Sequence, residues 1–419
     1  MTYILRHVDA FLDEHFHSLP AMLLDGPKAV GKSSTARRRA KSVYDLSSPR
    51  SRELALADGE LVTKGEKPVF IDEWQRVPDV WDAVRNAVDH DHTGGSFLLA
   101  GSADAPGTHS GAGRIVSVRM RPMTLIERGL TQPTVSLGAL KMATATVEGE
   151  TAFNLPNYAT AIVRGGFPGM QALPRGAIEL QLEGYLQRVI DRDFPEAGLA
   201  VRRPASLMAW LRSFAAASAT TASWESIRDG ATAGSIEKPS RTATTPYVEI
   251  LKRLRVVDDI EAWLPSQNFL NRISQSPKHF LVDPALAANL LGISSASLVS
   301  GDDSLGSYQG SPIFGRLFEN LVALHLQTFA INNRLKVRHL RTGNGEHEVD
   351  FILEQPDGRF IAVEAKLNGV VTDSDQKHLM WLKDKVGDQM IDAVVINTGQ
   401  YAYRTKQGVA AVPLALLGP

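Results

Sequence analysis

The ten residues DGPKAVGKSS, Asp25 to Ser34, follow the apolar run AMLL (21–24) and precede the helical pattern SSTARRRAKSV (33–43). Gly26, Gly31, Lys32 and Ser33 have the spacing of a phosphate-binding P-loop, and a strand before and a helix after are the context that motif requires. Glycines let the main chain curl around an anion with its N–H groups inward, and the helix N-terminus adds partial positive charge. The loop Gly26, Pro27, Lys28, Ala29, Val30, Gly31, Lys32, Ser33 and Ser34 is therefore the predicted nucleotide cradle. Lys32 would reach the β- and γ-phosphates, and the Ser33 hydroxyl would coordinate Mg²⁺.

Working outward, VFIDE (69–73) ends a buried strand in two acids. An exposed strand end suits a Mg²⁺ ligand held through water, which assigns Asp72 to the metal. Glu73 either polarises the attacking water or is a plain surface acid. FLLAGS (97–102) is a third strand, ending in Ser102, which either senses the γ-phosphate or is a commonplace polar strand end. In SGAGR (110–114), Arg114 either touches the phosphates of its own or a neighbouring subunit, or is a solvated loop charge. Short apolar runs alternating with helical stretches from Pro20 to about Gly129 predict an open, mostly parallel α/β sheet.

The chain has 419 residues, 43% hydrophobic and 22% charged, the composition of a soluble globular protein of two to four domains. It contains no cysteine, which excludes disulfides, thiolate zinc sites, iron–sulfur clusters and a cysteine nucleophile. The start MTYILRHVDAFLDEHFHSLP reads as an amphipathic helix rather than a signal peptide, and no apolar stretch approaches bilayer length. A cytoplasmic protein without membrane contact is expected. With a formal net charge of −1, any nucleic-acid binding must come from a local patch. Arg37, Arg38 and Arg39 form a basic run, either a solvated helix surface or a nucleic-acid contact.

Beyond the first domain (1–130), residues 131–203 read as a connection followed by helix, 204–270 as a helical, winged-helix-like segment, and 271–419 as a final α/β domain. Within 200–260, nine Lys and Arg stand against six Asp and Glu, a modest surplus. Tyr247, Ile250, Leu251 and Leu254 share one helical face and are predicted to be buried, leaving Lys252, Arg253 and Arg255 off that stripe. Such a helix either reads DNA, which is preferred over RNA as a partner, or packs against protein.

These motifs, with YDLSSP, VRGGFP, LQRVIDRDF, KHFLVD and GRLFENLVALHL, together resemble the AAA-type ATPase module of a widespread prokaryotic group. In that group a P-loop domain precedes a C-terminal domain of unassigned function. The resemblance implies ATP and Mg²⁺ as cofactors, ATP binding with hydrolysis, and leaves homo-oligomerisation open.

The last motif is EVDFILEQPDGRFIAVEAKL, residues 348–367. Glu364 and Lys366, two apart on a strand, project from one face. A three-residue PDG loop (356–358) sets Asp350 opposite Glu364, whereas a two-residue DG loop sets it against Ala365. An acid followed by Glu-x-Lys on the next strand resembles the PD-(D/E)XK nuclease core, a restriction-endonuclease-like α/β fold. By that resemblance Glu319, Asp350 and Glu364 are metal ligands, and Lys366 is the catalytic charge that orients or activates water. Nucleotide state would then gate nuclease action, or switch a binding module built on an inactive scaffold.

Overall fold

The computed structural model describes residues 3–101, 111–231, 241–263, 276–299, 312–342 and 345–419. They form two compact units: Met1–Pro122 with Phe167–Gly169 and Leu251–Val256, and the remainder of the chain.

The first unit is built on five parallel strands: β1 (Ala21–Asp25), β2 (Ser42–Asp45), β3 (Val69–Asp72), β4 (Phe97–Gly101) and β5 (Ile115–Arg119). Their order is β2-β3-β4-β1-β5. The central strands are continuous apolar runs because both their faces are covered. Leu23, Val69, Ile71, Phe97 and Leu99 pack with Trp74, Trp81 and Val84 on the helical side. The predicted helix over 33–43 stops early: it spans Lys32–Arg37, and residues 42–45 become β2. The reason is backbone pairing, since Lys41 N–H donates to the Pro68 carbonyl at 2.9 Å and residues 42–45 then run beside β3. An open strand edge with unpaired N–H and C=O groups outweighs a modest helix propensity.

The second unit contains a seven-stranded mixed sheet in the order β7-β12-β13-β11-β10-β9-β8. Its strands are β7 (Gly149–Glu150), β8 (Lys336–Arg341), β9 (Glu348–Glu354), β10 (Phe360–Ala365), β11 (Met390–Asn397), β12 (Tyr401–Arg404) and β13 (Ala410–Pro413). A long helix, Pro312–Asn333, precedes it. Residues 131–160, bland in sequence, contribute β7 to the sheet edge and β6 (Val135–Ser136) to a pair with β14 (Leu417–Gly418). Backbone pairing makes these contacts, with Thr134 and Ser136 hydroxyls donating to the Glu148 and Pro419 carbonyls, and no periodic side-chain pattern announces them.

The middle stretch supplies helices Pro204–Ala216, Trp224–Gly230 and Arg241–Arg253. Thr220, Val257 and Ile260 then make isolated antiparallel bridges to His279, Leu281 and Lys278. Tyr247, Ile250, Leu251 and Leu254 are buried, at 8%, 6%, 0% and 6% exposure, as their spacing predicts. Among the described residues, no helix is long and apolar enough to cross a membrane.

Candidate functional sites

At the end of β1 the chain turns sharply. A side chain at Gly26 would put its Cβ 2.2 Å from the Met120 carbonyl oxygen, so no other residue fits. Gly31 has φ +98°, in the region glycine favours. The helix that follows projects its first residues into the loop. Lys32 is buried, and its Nζ donates to the carbonyls of Gly26 (2.8 Å) and Pro27 (2.7 Å). Burial pushes the Lys32 ammonium down to about 8, against the raising pull of Glu73, Asp25 and Asp72. The Ser33 hydroxyl donates to Asp72 Oδ1 at 2.9 Å, joining the two predicted Mg²⁺ ligands. Burial raises the Asp72 carboxyl, and the Ser33 hydrogen bond opposes that shift. Hydroxyl and carboxylate oxygens are the donors a hard cation prefers.

Glu73 follows directly, with φ +56° and its carboxylate accepting from Gln75 Nε2 at 3.0 Å. It thus stands at the strand end beside Asp72, half-buried. Ser102 lies outside the described residues. Arg114 pairs with Asp89 at 2.6 Å in an exposed ion pair, an arrangement that fits the solvated loop charge of its two readings.

Three arginines that the motif does not announce complete this centre. Arg6 donates from Nη1 to the Val30 carbonyl and from Nη2 to the Arg121 carbonyl, both at 2.7 Å, fastening the P-loop from behind. Arg255 pairs with Asp25 at 2.8 Å, at the residue preceding Gly26. That pairing engages a cation which the sequence offered for a DNA groove. Arg37 bridges Asp45 (3.2 Å) and Asp72 (3.7 Å). The basic run is neither uniformly solvated nor presented as a patch: Arg39 is ion-paired to Asp9 and Asp13, and Arg38 lies 4.2 Å from the Tyr3 ring centroid. Only the i, i+4 spacing of Ser33 and Arg37 hinted at this, by putting both on one helical face.

The second centre lies in the sheet of the other unit. Gln355 N–H donates to the Arg359 carbonyl at 2.8 Å, and Val363 pairs with Phe351. This is the three-residue-loop register, and it carries Asp350 to Glu364. Asp350 Oδ2 accepts from Ala365 N–H at 2.9 Å, and Lys366 Nζ donates to Glu364 Oε2 at 2.8 Å. Glu319, from the long helix, joins them through a residue absent from the predicted set. Lys278, 1% exposed, has its Nζ 2.6 Å from Glu319, 2.8 Å from Asp350 and 3.2 Å from Glu348.

The electrostatics follow from that ammonium. Burial alone would lower Lys278, but Asp350, Glu319 and Glu348 outweigh it and hold it well above the usual lysine value. Burial would raise Asp350, yet Lys278 and then Lys366 hold it well below the usual carboxylate range. Glu319 is pushed up to about 8 by burial and by Asp350, against the pull of Lys278. Burial and the Asp350 charge raise Glu364 strongly. The three predicted ligands therefore converge, but around a lysine. Among the described residues, no group of three His, Asp or Glu side chains is arranged to hold a metal ion. Lys278 stands in KHFLVD, where its apolar neighbours mark a buried strand and nothing marks a buried cation.

Beside this centre His347 stacks on Trp381 at 3.8 Å between ring centroids, with Nδ1 3.4 Å from His378 Nδ1. His347 is thus packed between a tryptophan and a second histidine.

Comparison with known proteins matches three stretches of the chain. Residues 18–128 match an AAA domain, 155–297 match a domain of unknown function (DUF8612), and 314–417 match another (DUF4143). The chain is 26% identical to uncharacterised proteins of Mycobacterium bovis and Mycobacterium tuberculosis, over 97% of its own length and 83% of theirs. The AAA match falls on the residues that form the glycine loop and its parallel sheet.

Proposed function

We propose that this protein is a Mg²⁺-dependent ATPase whose nucleotide state controls its C-terminal unit. The observation that carries the ATPase reading is the meeting of Ser33 and Asp72 at 2.9 Å beside a buried Lys32 that bonds loop carbonyls. The loop N–H groups and Lys32 would bind the phosphates, and Ser33 and Asp72 would hold the metal. Mg²⁺, when bound, neutralises charge developing on the β- and γ-phosphate oxygens. Glu73 at the strand end is the group to orient water and accept its proton. Replacing Lys32 by Ala should lower ATP turnover by about 10²–10³-fold, the usual cost of losing one donor to a developing charge. Phosphate release at the wild-type rate would refute the assignment.

For the C-terminal unit, Lys278 favours a non-nucleolytic output, either a switch or a DNA- or protein-binding regulator on a nuclease-like scaffold. The test is incubation of the full chain with single- and double-stranded DNA and RNA, Mg²⁺ or Mn²⁺, with and without ATP. No cleavage is expected. Cleavage that disappears in Lys366→Ala would restore the nuclease reading.

A further inference from the structure

The acids and the lysine of the C-terminal centre are supported by different parts of the fold. Asp350 and Glu364 belong to the seven-stranded sheet, and Glu319 to the helix Pro312–Asn333. Lys278 comes from neither. Its backbone exchanges two hydrogen bonds with Ile260, at 2.8 and 2.9 Å. The next residue, His279, is 1% exposed and packs on Trp224 and Phe214, with ring centroids 4.3 and 5.5 Å away. His279 Nδ1 is 3.1 Å from Asp259 Oδ1, and Nε2 is 2.9 Å from the Ala222 carbonyl. The ammonium is thus held by the extended segment 257–262, which also bonds β8 at His339, and by the packing of His279 on the middle helices, while β9, β10 and the long helix set the acids.

Two carboxylate oxygens in this cluster, Glu319 Oε1 and Glu364 Oε1, are buried without a directed hydrogen bond, and of these Glu319 Oε1 lies 2.6 Å from Lys278 Nζ. Glu364 is 2% exposed; its Oε2 is bonded to Lys366, and its buried Oε1 meets no N–H or O–H donor, while the carboxyl lies within hydrogen-bonding reach of Asp350, which raises it. An unsatisfied buried carboxylate oxygen is costly, and such an atom needs an explanation in terms of a proton, a water or an ion.

We infer that Lys278 is a chain-borne cation closing a latent divalent-metal site formed by Glu319, Asp350 and Glu364. This rests on the scaffold reading of the C-terminal unit and adds what keeps it a scaffold. The ammonium occupies the position between Glu319 and Asp350 and repels a second cation there. Lys278 is not on a strand of the sheet: it pairs with Ile260, in a segment that bonds the edge strand β8 at His339, whereas the acids stand on β9, β10 and the long helix and keep those supports when the lysine is replaced.

The experiment is Mn²⁺ binding to the full chain without nucleotide, followed by electron paramagnetic resonance, in the wild type, Glu364→Gln, Lys278→Gln and the double variant. Wild type and Glu364→Gln should bind equal amounts, so that any weak binding at the P-loop cancels. Lys278→Gln should gain one Mn²⁺ per chain, and the double variant should lose that gain. A wild-type equivalent abolished by Glu364→Gln overturns the inference, as does a folded Lys278→Gln with no gain. Lys278→Met is the second variant should Lys278→Gln not fold, and the wild-type comparison decides even if neither does. ATP turnover of the same proteins is read separately: its absence in the wild type would refute the ATPase and leave the Mn²⁺ result standing.

Discussion

Two buried lysines, Lys32 in the first unit and Lys278 in the second, have nearly the same exposure, 7% and 1%, and opposite surroundings. Among the described residues Lys32 bonds the neutral carbonyls of Gly26 and Pro27, and burial brings its ammonium down to about 8. Lys278 lies against three carboxylates, which drive it up in spite of complete burial. A buried cation facing dipoles is poised for an anion that has yet to arrive. A buried cation facing carboxylates has its counter-charges already. Burial by itself therefore says little; the charge of the partners separates a binding group from a closing one.

The largest effect that would break this contrast is on stability. Lys278→Ala leaves Asp350 and its neighbours buried without their counter-ion, and should cost about 3–5 kcal/mol. Urea denaturation of the full chain measures it, and a loss below about 1 kcal/mol, the range of an exposed pair, would mean that the ammonium is not the partner of these acids.

A second test is pH. Glu319 is raised to about 8, so its protonated form is favoured in the folded state, and this contribution is present below its unfolded value and lost as pH rises through about 8. His339, lowered to about 3 by burial and by Lys278, acts oppositely, but its contribution is complete by about pH 7. Between pH 7 and 8 the C-terminal sheet should therefore lose stability, with a slope of at most about 1.4 kcal/mol per pH unit for one proton. Hydrogen exchange at β9 and β10 reads the slope. Glu319→Gln should reduce it, with any slope that remains belonging to Glu364, which burial and Asp350 also raise; an unchanged slope would assign it to groups other than Glu319.

The smallest effect sharpens the other side of the comparison. Phosphate beside Lys32 should restore its ordinary, higher value, so ATP binding near pH 8–9 takes up about half to one proton. Calorimetry in buffers of different ionisation enthalpy measures the uptake, and Lys32→Met should abolish it. Equal uptake in that variant would locate the proton on another group.

Much of this was legible along the chain. A P-loop is local: strand, glycines, lysine and hydroxyl are contiguous from Asp25 to Ser34, and each residue's chemistry follows from its position in one turn of backbone. The hairpin at 348–367 was half legible. Alternation put Glu364 and Lys366 on one face, yet two loop lengths gave two registers, and Asp350 met a different partner in each. The stripe Tyr247, Ile250, Leu251 and Leu254 was readable because helical periodicity reports burial directly.

Other features depend on residues far apart in sequence. Arg6 reaches Val30 and Arg121, and Arg255 reaches Asp25, across separations that no motif spans. Residues 149–150 join a sheet whose other strands begin nearly two hundred residues later, through backbone bonds that leave no trace in side-chain pattern. By itself the sequence determined the glycine loop with its lysine and hydroxyl, and the list of acids downstream, because both are properties of residue type and short spacing. Only tertiary structure decided what those acids surround: Lys278 is brought from outside their sheet, and a buried charge is defined by its neighbours in space.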